Sequence, residues 1–181
     1  MAVSNFYIGS LIIVLLNVHL VSAQKSGVEI AGDIGFIAVP LAALTTTFIK
    51  GDKQGTWQFT KGFVLNQALT FGLKISISKP RPDLSNNHSF PSGHTSTVFQ
   101  GASFIHRRYG FKYSIPAYAI AGFTAFSRVY ADKHDGFDIL AGAIIGIGST
   151  YLFTTPFQQE HMEFTFNSYD RNYLLGFTYK F

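Results

Sequence analysis

The chain has 181 residues, of which 47% are hydrophobic, 16% aromatic and only 13% charged. That length suits one domain with a real core and is short for two, and the charged fraction is about half that of an ordinary soluble domain, so a membrane or a partner is expected to cover part of the surface. The net charge of +4 is scattered in twos and threes, which argues against nucleic-acid binding, and the lack of cysteine excludes disulfides, thiolate metal sites and cysteine nucleophiles.

Residues 8–20 are apolar and uncharged and run into Val21-Ser22-Ala23, a small-residue pattern that signal peptidase cuts. No lysine or arginine precedes the run, so residues 1–23 read either as a signal peptide or as an uncleaved membrane anchor. Residues 24–157 are expected to form one domain. Within it, apolar stretches at 28–49, 57–78, 93–106, 113–130 and 137–155 are divided by polar punctuation, and all five are expected to be helices. Two approach the ~20 residues that span a bilayer, while 94–105 is short and carries Ser, Thr and Gln. The fold class is therefore all-α: a bundle of five to six helices, membrane-embedded in the leading reading and soluble in the alternative, with a mean hydropathy of +0.20.

Lys50 and Lys53 share one connection, and His106, Arg107, Arg108 and Lys112 share another. Helices that alternate in direction bring these basic connections to one side, the cytoplasmic one, and bring 79–92 and 131–137 together at the opposite end. Asp33 stands inside the first apolar stretch, where a carboxylate needs a partner; the backbone N–H groups of a helix start are the favoured one. The tail, 158–181, changes character. Residues 163–166 and 173–181 are aromatic and partly alternating, with turn formers at 167–172, so a short hairpin or an extended tail is expected. One hairpin cannot close a barrel.

Three clusters carry chemistry. Lys74 and Arg81 stand seven residues apart, and Pro80 and Pro82 place Arg81 just beyond a helix whose last turn holds Lys74. Such a pair suits a phosphate: the arginine offers a planar fork of donors and the lysine a point charge. Next, Phe90-Pro91-Ser92-Gly93-His94-Thr95 precedes a helical run. Ser92 suits an N-cap, Gly93 lets backbone approach an anion, and His94 lies in the first turn beside a natural anion site. Third, Ser127-Arg128 is followed by His134 and Asp138. Four residues apart on a helix, the last two share a face, where the carboxylate orients a neutral imidazole for nucleophilic attack.

Together, Lys74 with Arg81-Pro82, then Pro91-Ser92-Gly93-His94, then Ser127-Arg128, His134 and Asp138 resemble the type-2 phosphatidic-acid phosphatase (PAP2) family in residues and spacing. The resemblance implies that His134 attacks phosphorus, with Asp138 orienting it, and forms a phosphohistidine that water cleaves. It implies that His94 protonates the leaving oxygen and then deprotonates water, and that Lys74, Arg81, Ser92, Gly93 and Arg128 hold the phosphoryl oxygens. No cofactor or metal is implied, and no carboxylate cluster for a metal pair is evident. His88, Asp132, Lys133 and Asp135 flank the motifs, either as residues that tune substrate choice or as solvated loop positions.

The expected activity is hydrolysis of a phosphate monoester or diphosphate of a lipid, at a bacterial inner membrane with the site facing the periplasm. A soluble periplasmic acid phosphatase is the alternative. A vanadium-dependent haloperoxidase, in which vanadate takes the phosphoryl position, and an exported structural protein are further ones. The expected partners are a phosphorylated lipid and the membrane; nothing in the pattern bears on oligomeric state.

Overall fold

A computed structural model describes residues 26–157, 162–169 and 172–179. The signal-peptide or anchor reading of residues 1–23 lies outside the described residues. Five helices follow one another: α1 (Gly27–Ile49), α2 (Lys53–Ser76), α3 (Gly93–Tyr109), α4 (Phe111–Tyr130) and α5 (Gly136–Phe153). Two strands, β1 (Met162–Tyr169) and β2 (Asn172–Tyr179), pair antiparallel, with Met162 opposite Tyr179 and Tyr169 opposite Asn172. The hairpin is thus longer than expected, because 167–169, read as turn, continue the ladder.

Polar side chains set where the helices begin. Ser26, Asp52, Ser92 and Asp135 each accept a backbone N–H of the first turn of α1, α2, α3 and α5, the usual answer to unpaired helix-start donors. The Asp52 cap explains why α2 starts four residues before its apolar stretch. Asp135 and Asp138 form a reciprocal capping box. Between α3 and α4 stands only Gly110, at φ +105°, a conformation that a side chain resists. Asp33 is a correction: it is the seventh residue of α1, not part of a helix start.

The bundle is polar and small-residued inside and apolar outside. Asn66, Thr70, Thr95, Ser96, Gln100, Ser103, Thr124 and Thr150 are buried beside an aliphatic and aromatic cluster around Val39, Phe59, Val98 and Phe104. Ile34, Ile37, Leu41, Phe71, Ile115, Phe126, Leu140, Ile144 and Leu152 face outward. Contact between α3 and α5 is backbone-close: a Cβ added at Gly142 would lie 2.6 Å from the Ser92 carbonyl oxygen, and one at Gly146 would collide with that of Ser96. Small residues four apart that let helices touch are typical of packing in lipid, where burying apolar area brings no gain. Of the five helices, α1 and α5 are long and apolar enough to cross a membrane by length and composition.

Hydrogen bonds confirm the alternation of direction. Asp52, between α1 and α2, accepts from Arg108 and Tyr109 at the end of α3. At the other end, the α2–α3 connection meets the α4–α5 connection through Lys79 with Asp135 and Lys133 with Asp83.

Candidate active site

The second of these ends collects the three clusters. Lys74 lies in the last turn of α2, Arg81 in the connection that follows, Ser92, Gly93 and His94 at the start of α3, and Arg128 in the last turn of α4. His134 lies in the next connection and Asp138 in the first turn of α5. Here a cavity of about 500 Å³ is lined by Arg81, His94, Arg128 and His134, with Glu29, Asp33, Phe36, Ile37 and Lys133. Four side chains singled out in the sequence therefore converge on one space. Lys74, Ser92, Gly93 and Asp138 do not line it.

His134 is 3% exposed. Burial, then the charges of Lys74 and Arg81, push its pKa down to about 4, so the imidazole is neutral at ordinary pH. Its Nδ1 lies 3.6 Å from Asp138 Oδ2, beyond a hydrogen bond, and is buried with no partner. The helical-face argument is corrected in its geometry: α5 begins after Asp135, so His134 precedes the helix and meets Asp138 from the connection. The Asp138 carboxylate is itself held firmly. Lys79 Nζ donates to Oδ1 at 2.8 Å, the Asp135 N–H donates to Oδ2 at 3.1 Å, and the Ser89 hydroxyl makes a short bond to Oδ2.

His94 meets Asp33 Oδ1 through Nε2 at 3.0 Å, with its ring centroid 4.4 Å from that of Phe36. The same carboxylate oxygen accepts from Arg128 Nη1 at 2.9 Å. Arg128 also donates to the Glu29 carbonyl at 2.7 Å and the Ser127 hydroxyl at 3.1 Å. This nearly buried guanidinium is thus braced on three sides where it borders the cavity. Arg81 differs: its main chain is fixed by the Asn86 carbonyl at 2.9 Å, but its buried Nε has no partner.

The lysine read as a mobile point charge is engaged by the chain. Lys74 Nζ donates to the carbonyls of His88 and Pro91, both at 2.8 Å, and pins the α2–α3 connection. Ser92 is fully buried, and its hydroxyl accepts from the N–H and the hydroxyl of Thr95. At Gly93 an added Cβ would meet only the Thr70 methyl, at an ordinary 3.8 Å, so packing does not demand glycine there. Among the flanking residues, Lys133 lines the cavity and pairs with Asp83 at 2.6 Å. Asp135 caps α5 and pairs with Lys79, which holds its carboxyl below the usual range.

Sequence reasoning passed over Lys79 and Ser89 and gave Asp33 the wrong partner. Lys79 stands inside the first cluster, directly before Pro80, where a second lysine beside the Lys74–Arg81 pair was the available signal. Ser89 carried none. Among the described residues, no group of three or more His, Asp or Glu comes together to hold a metal ion.

The sequence matches the family model of the PAP2 superfamily over residues 55–162. It is 29% identical over 147 residues to the lipid A 4'-phosphatase of Helicobacter pylori, covering 74% of each chain. It is 36% identical over 105 residues to the lipid A 1-phosphatase of Porphyromonas gingivalis, covering 54% of this chain and only 24% of that one. Among solved structures, the crystal structure of Aquifex aeolicus LpxE shares the fold, with a TM-score of 0.60 at 23% identity over 72% of this chain and 87% of that one.

Proposed function

Because this chain belongs to the PAP2 superfamily and is a phosphatase of that type, we propose that it removes a phosphate from a lipid through a phosphohistidine on His134. The observation that carries the reading is the convergence of His94, His134, Arg81 and Arg128 on one cavity. A neutral imidazole among cations is both nucleophilic and close to where a dianion is attracted.

In the first step His134 Nε2, the nitrogen away from Asp138, attacks phosphorus; the bond to the leaving oxygen breaks and His94 gives that oxygen a proton. The imidazolium so formed is stabilised by Asp138, and a small inward movement closes the 3.6 Å gap to a hydrogen bond. In the second step water attacks the phosphorus, His94 takes its proton, and inorganic phosphate leaves His134. Arg81, whose Nε is unpartnered, and Arg128 hold the equatorial oxygens, and the backbone N–H groups at the start of α3, from Gly93 on, meet the phosphoryl group. Lys74 acts with them through its charge. Asp33 joins His94 to Arg128 and so couples the proton donor to the oxygen clamp.

The enzyme is placed in a bacterial inner membrane with this site on the periplasmic side. Two observations support that: the outward faces of the helices are apolar, and Lys50, Lys53 and the basic run 106–108 lie at the opposite end. A phosphorylated lipid A is our first choice of substrate, a reading supported by the likeness to lipid A phosphatases. Phosphate release by the purified protein from lipid A, undecaprenyl diphosphate, phosphatidylglycerol phosphate and phosphatidic acid tests the choice; equal release from all four would refute a lipid A preference. A carbonate wash that strips the protein from membranes would favour the soluble periplasmic reading.

A further inference from the structure

The end of the bundle far from the active site carries a second cavity, of about 460 Å³, where Lys50, His106, Arg107, Tyr113 and Tyr151 meet. It adjoins an apolar groove of about 420 Å³ between α1 and α4, floored by Ile105 of α3, and the two share Lys50, Tyr109 and Tyr113. We propose that this composite site binds an anionic phospholipid, its headgroup phosphate between Lys50 and Arg107 and one acyl chain along the α1–α4 groove. The inference rests on the membrane placement proposed above.

Charge is the first support. Asp52, the described carboxylate bound at this end, is buried and neutralised by Arg108, which spends Nε and Nη2 on its two oxygens and Nη1 on the Thr155 carbonyl. Arg108 and Asp52 therefore cancel, and among the described lining residues Lys50 and Arg107 leave the cavity positive. Arg107 is aimed rather than consumed: its Nε donates to the Thr154 carbonyl at 3.2 Å and its guanidinium lies 5.3 Å from the Tyr151 ring centroid. Neither Nη group donates to another described residue. Lys50 Nζ lies 5.5 Å from the Tyr109 ring centroid, and among the described residues it has no ion pair with a carboxylate. A zwitterionic headgroup would bring a cation against both.

Shape is the second. Ala38, Ala42, Thr46 and Lys50 recur every four residues along α1, a single stripe of about 18 Å at 1.5 Å per residue. Ala117 and Pro116 of α4 face it, so the trough is narrow and methyl-lined. Its length is close to the depth of one leaflet, half of a ~30 Å hydrocarbon core, and its charged end lies where α1 and α5 finish. The flanking tyrosines are the residues that favour the membrane–water boundary.

The test uses the full chain in phosphatidylcholine nanodiscs, with phosphatidylglycerol as probe, a phosphodiester with no terminal phosphate to remove. Lipid retention by native mass spectrometry is expected to favour phosphatidylglycerol, with thermal stabilisation to match. Lys50→Gln/Arg107→Gln is expected to weaken it roughly thirtyfold, and Ala42→Phe, which fills the groove, to remove it. Hydrolysis of soluble p-nitrophenyl phosphate should be unchanged in both, which shows that they fold; if Ala42→Phe fails that check, the charge variant decides. Equal retention of phosphatidylcholine, stabilisation by inorganic phosphate alone, or loss of binding in Arg81→Gln but not in Lys50→Gln/Arg107→Gln would overturn the site. Each of those results leaves the membrane placement standing, whereas release by carbonate removes the placement itself.

Discussion

At one end of the bundle Arg108 is closed off. Its Nε and Nη2 donate to the two oxygens of Asp52 at 2.7 and 2.6 Å, and Tyr109 donates to the same carboxylate at 2.8 Å. At the other end Arg81 keeps a buried Nε without a partner beside a cavity that holds two histidines. Burial pushes the Asp52 carboxyl up, yet Arg108, the Gly55 N–H and Tyr109 more than reverse it, so it stays ionised and paired. Among the described residues, no such anion pairs with Arg81. The first arrangement is a structural clasp between the α1–α2 connection and the end of α3, and the second is, in the function proposed here, the place for a phosphoryl oxygen; the difference lies in partners, since both use the same side chain.

Substitutions that exchange function for stability break this comparison most sharply. His134→Ala is expected to lower phosphate release on the order of 10⁴-fold or more, with the folded protein recovered in normal yield; substantial residual turnover would remove His134 from the nucleophile's place. Arg81→Gln is expected to cost about 10²- to 10³-fold in kcat/KM with little change in the unfolding midpoint. Arg108→Ala should do the reverse. Leaving Asp52 buried and unpaired costs about 3–5 kcal/mol, seen as a large fall in thermal midpoint in detergent, with activity per folded molecule retained. Were Arg81→Gln the more destabilising of the two, the contrast would fail.

The glycines offer a finer version of the same comparison. Gly142→Ala forces a Cβ against the Ser92 carbonyl and should cost about 1–3 kcal/mol by overpacking. Gly93→Ala meets no such wall and should leave stability nearly intact while lowering turnover. A Gly93→Ala variant as active as the parent would mean that the start of α3 does not receive the phosphoryl group.

The smallest effect is electrostatic. Lys74 and Arg81 help to hold the pKa of His134 at about 4. Removing the Arg81 cation makes the protonated imidazole less unfavourable, so in Arg81→Gln the pKa must rise, and the acid limb of activity moves to higher pH. Imidazole carbon-bound proton shifts followed by NMR through a titration measure this directly; an unchanged or lower pKa would contradict the placement of the two charges.

Much of this was legible in the chain. Proline at 80 and 82, Ser92 before an apolar run, and the gap from Arg128 to His134 are local signals, and each predicts where its own element starts or stops. Other features were not local. Asp33 looked like a helix-start residue because its partners, His94 and Arg128, are 61 and 95 positions away. His134 and Asp138 looked like two steps on one helix, whereas the Asp135 cap starts that helix between them. Lys79, bound to Asp138 across 59 positions, gave only a charge in a polar connection.

From its residues alone, the chain determined an all-α bundle, its family, the positions of its chemical motifs and the end at which they gather, because hydrophobic runs, caps and prolines act within a few residues of themselves. Which arginine is closed and which is open, what holds Asp138, and where Asp33 turns were decided only when five helices packed. Those are pairings between groups tens of residues apart, and a hydrogen bond depends on distances that sequence spacing does not encode.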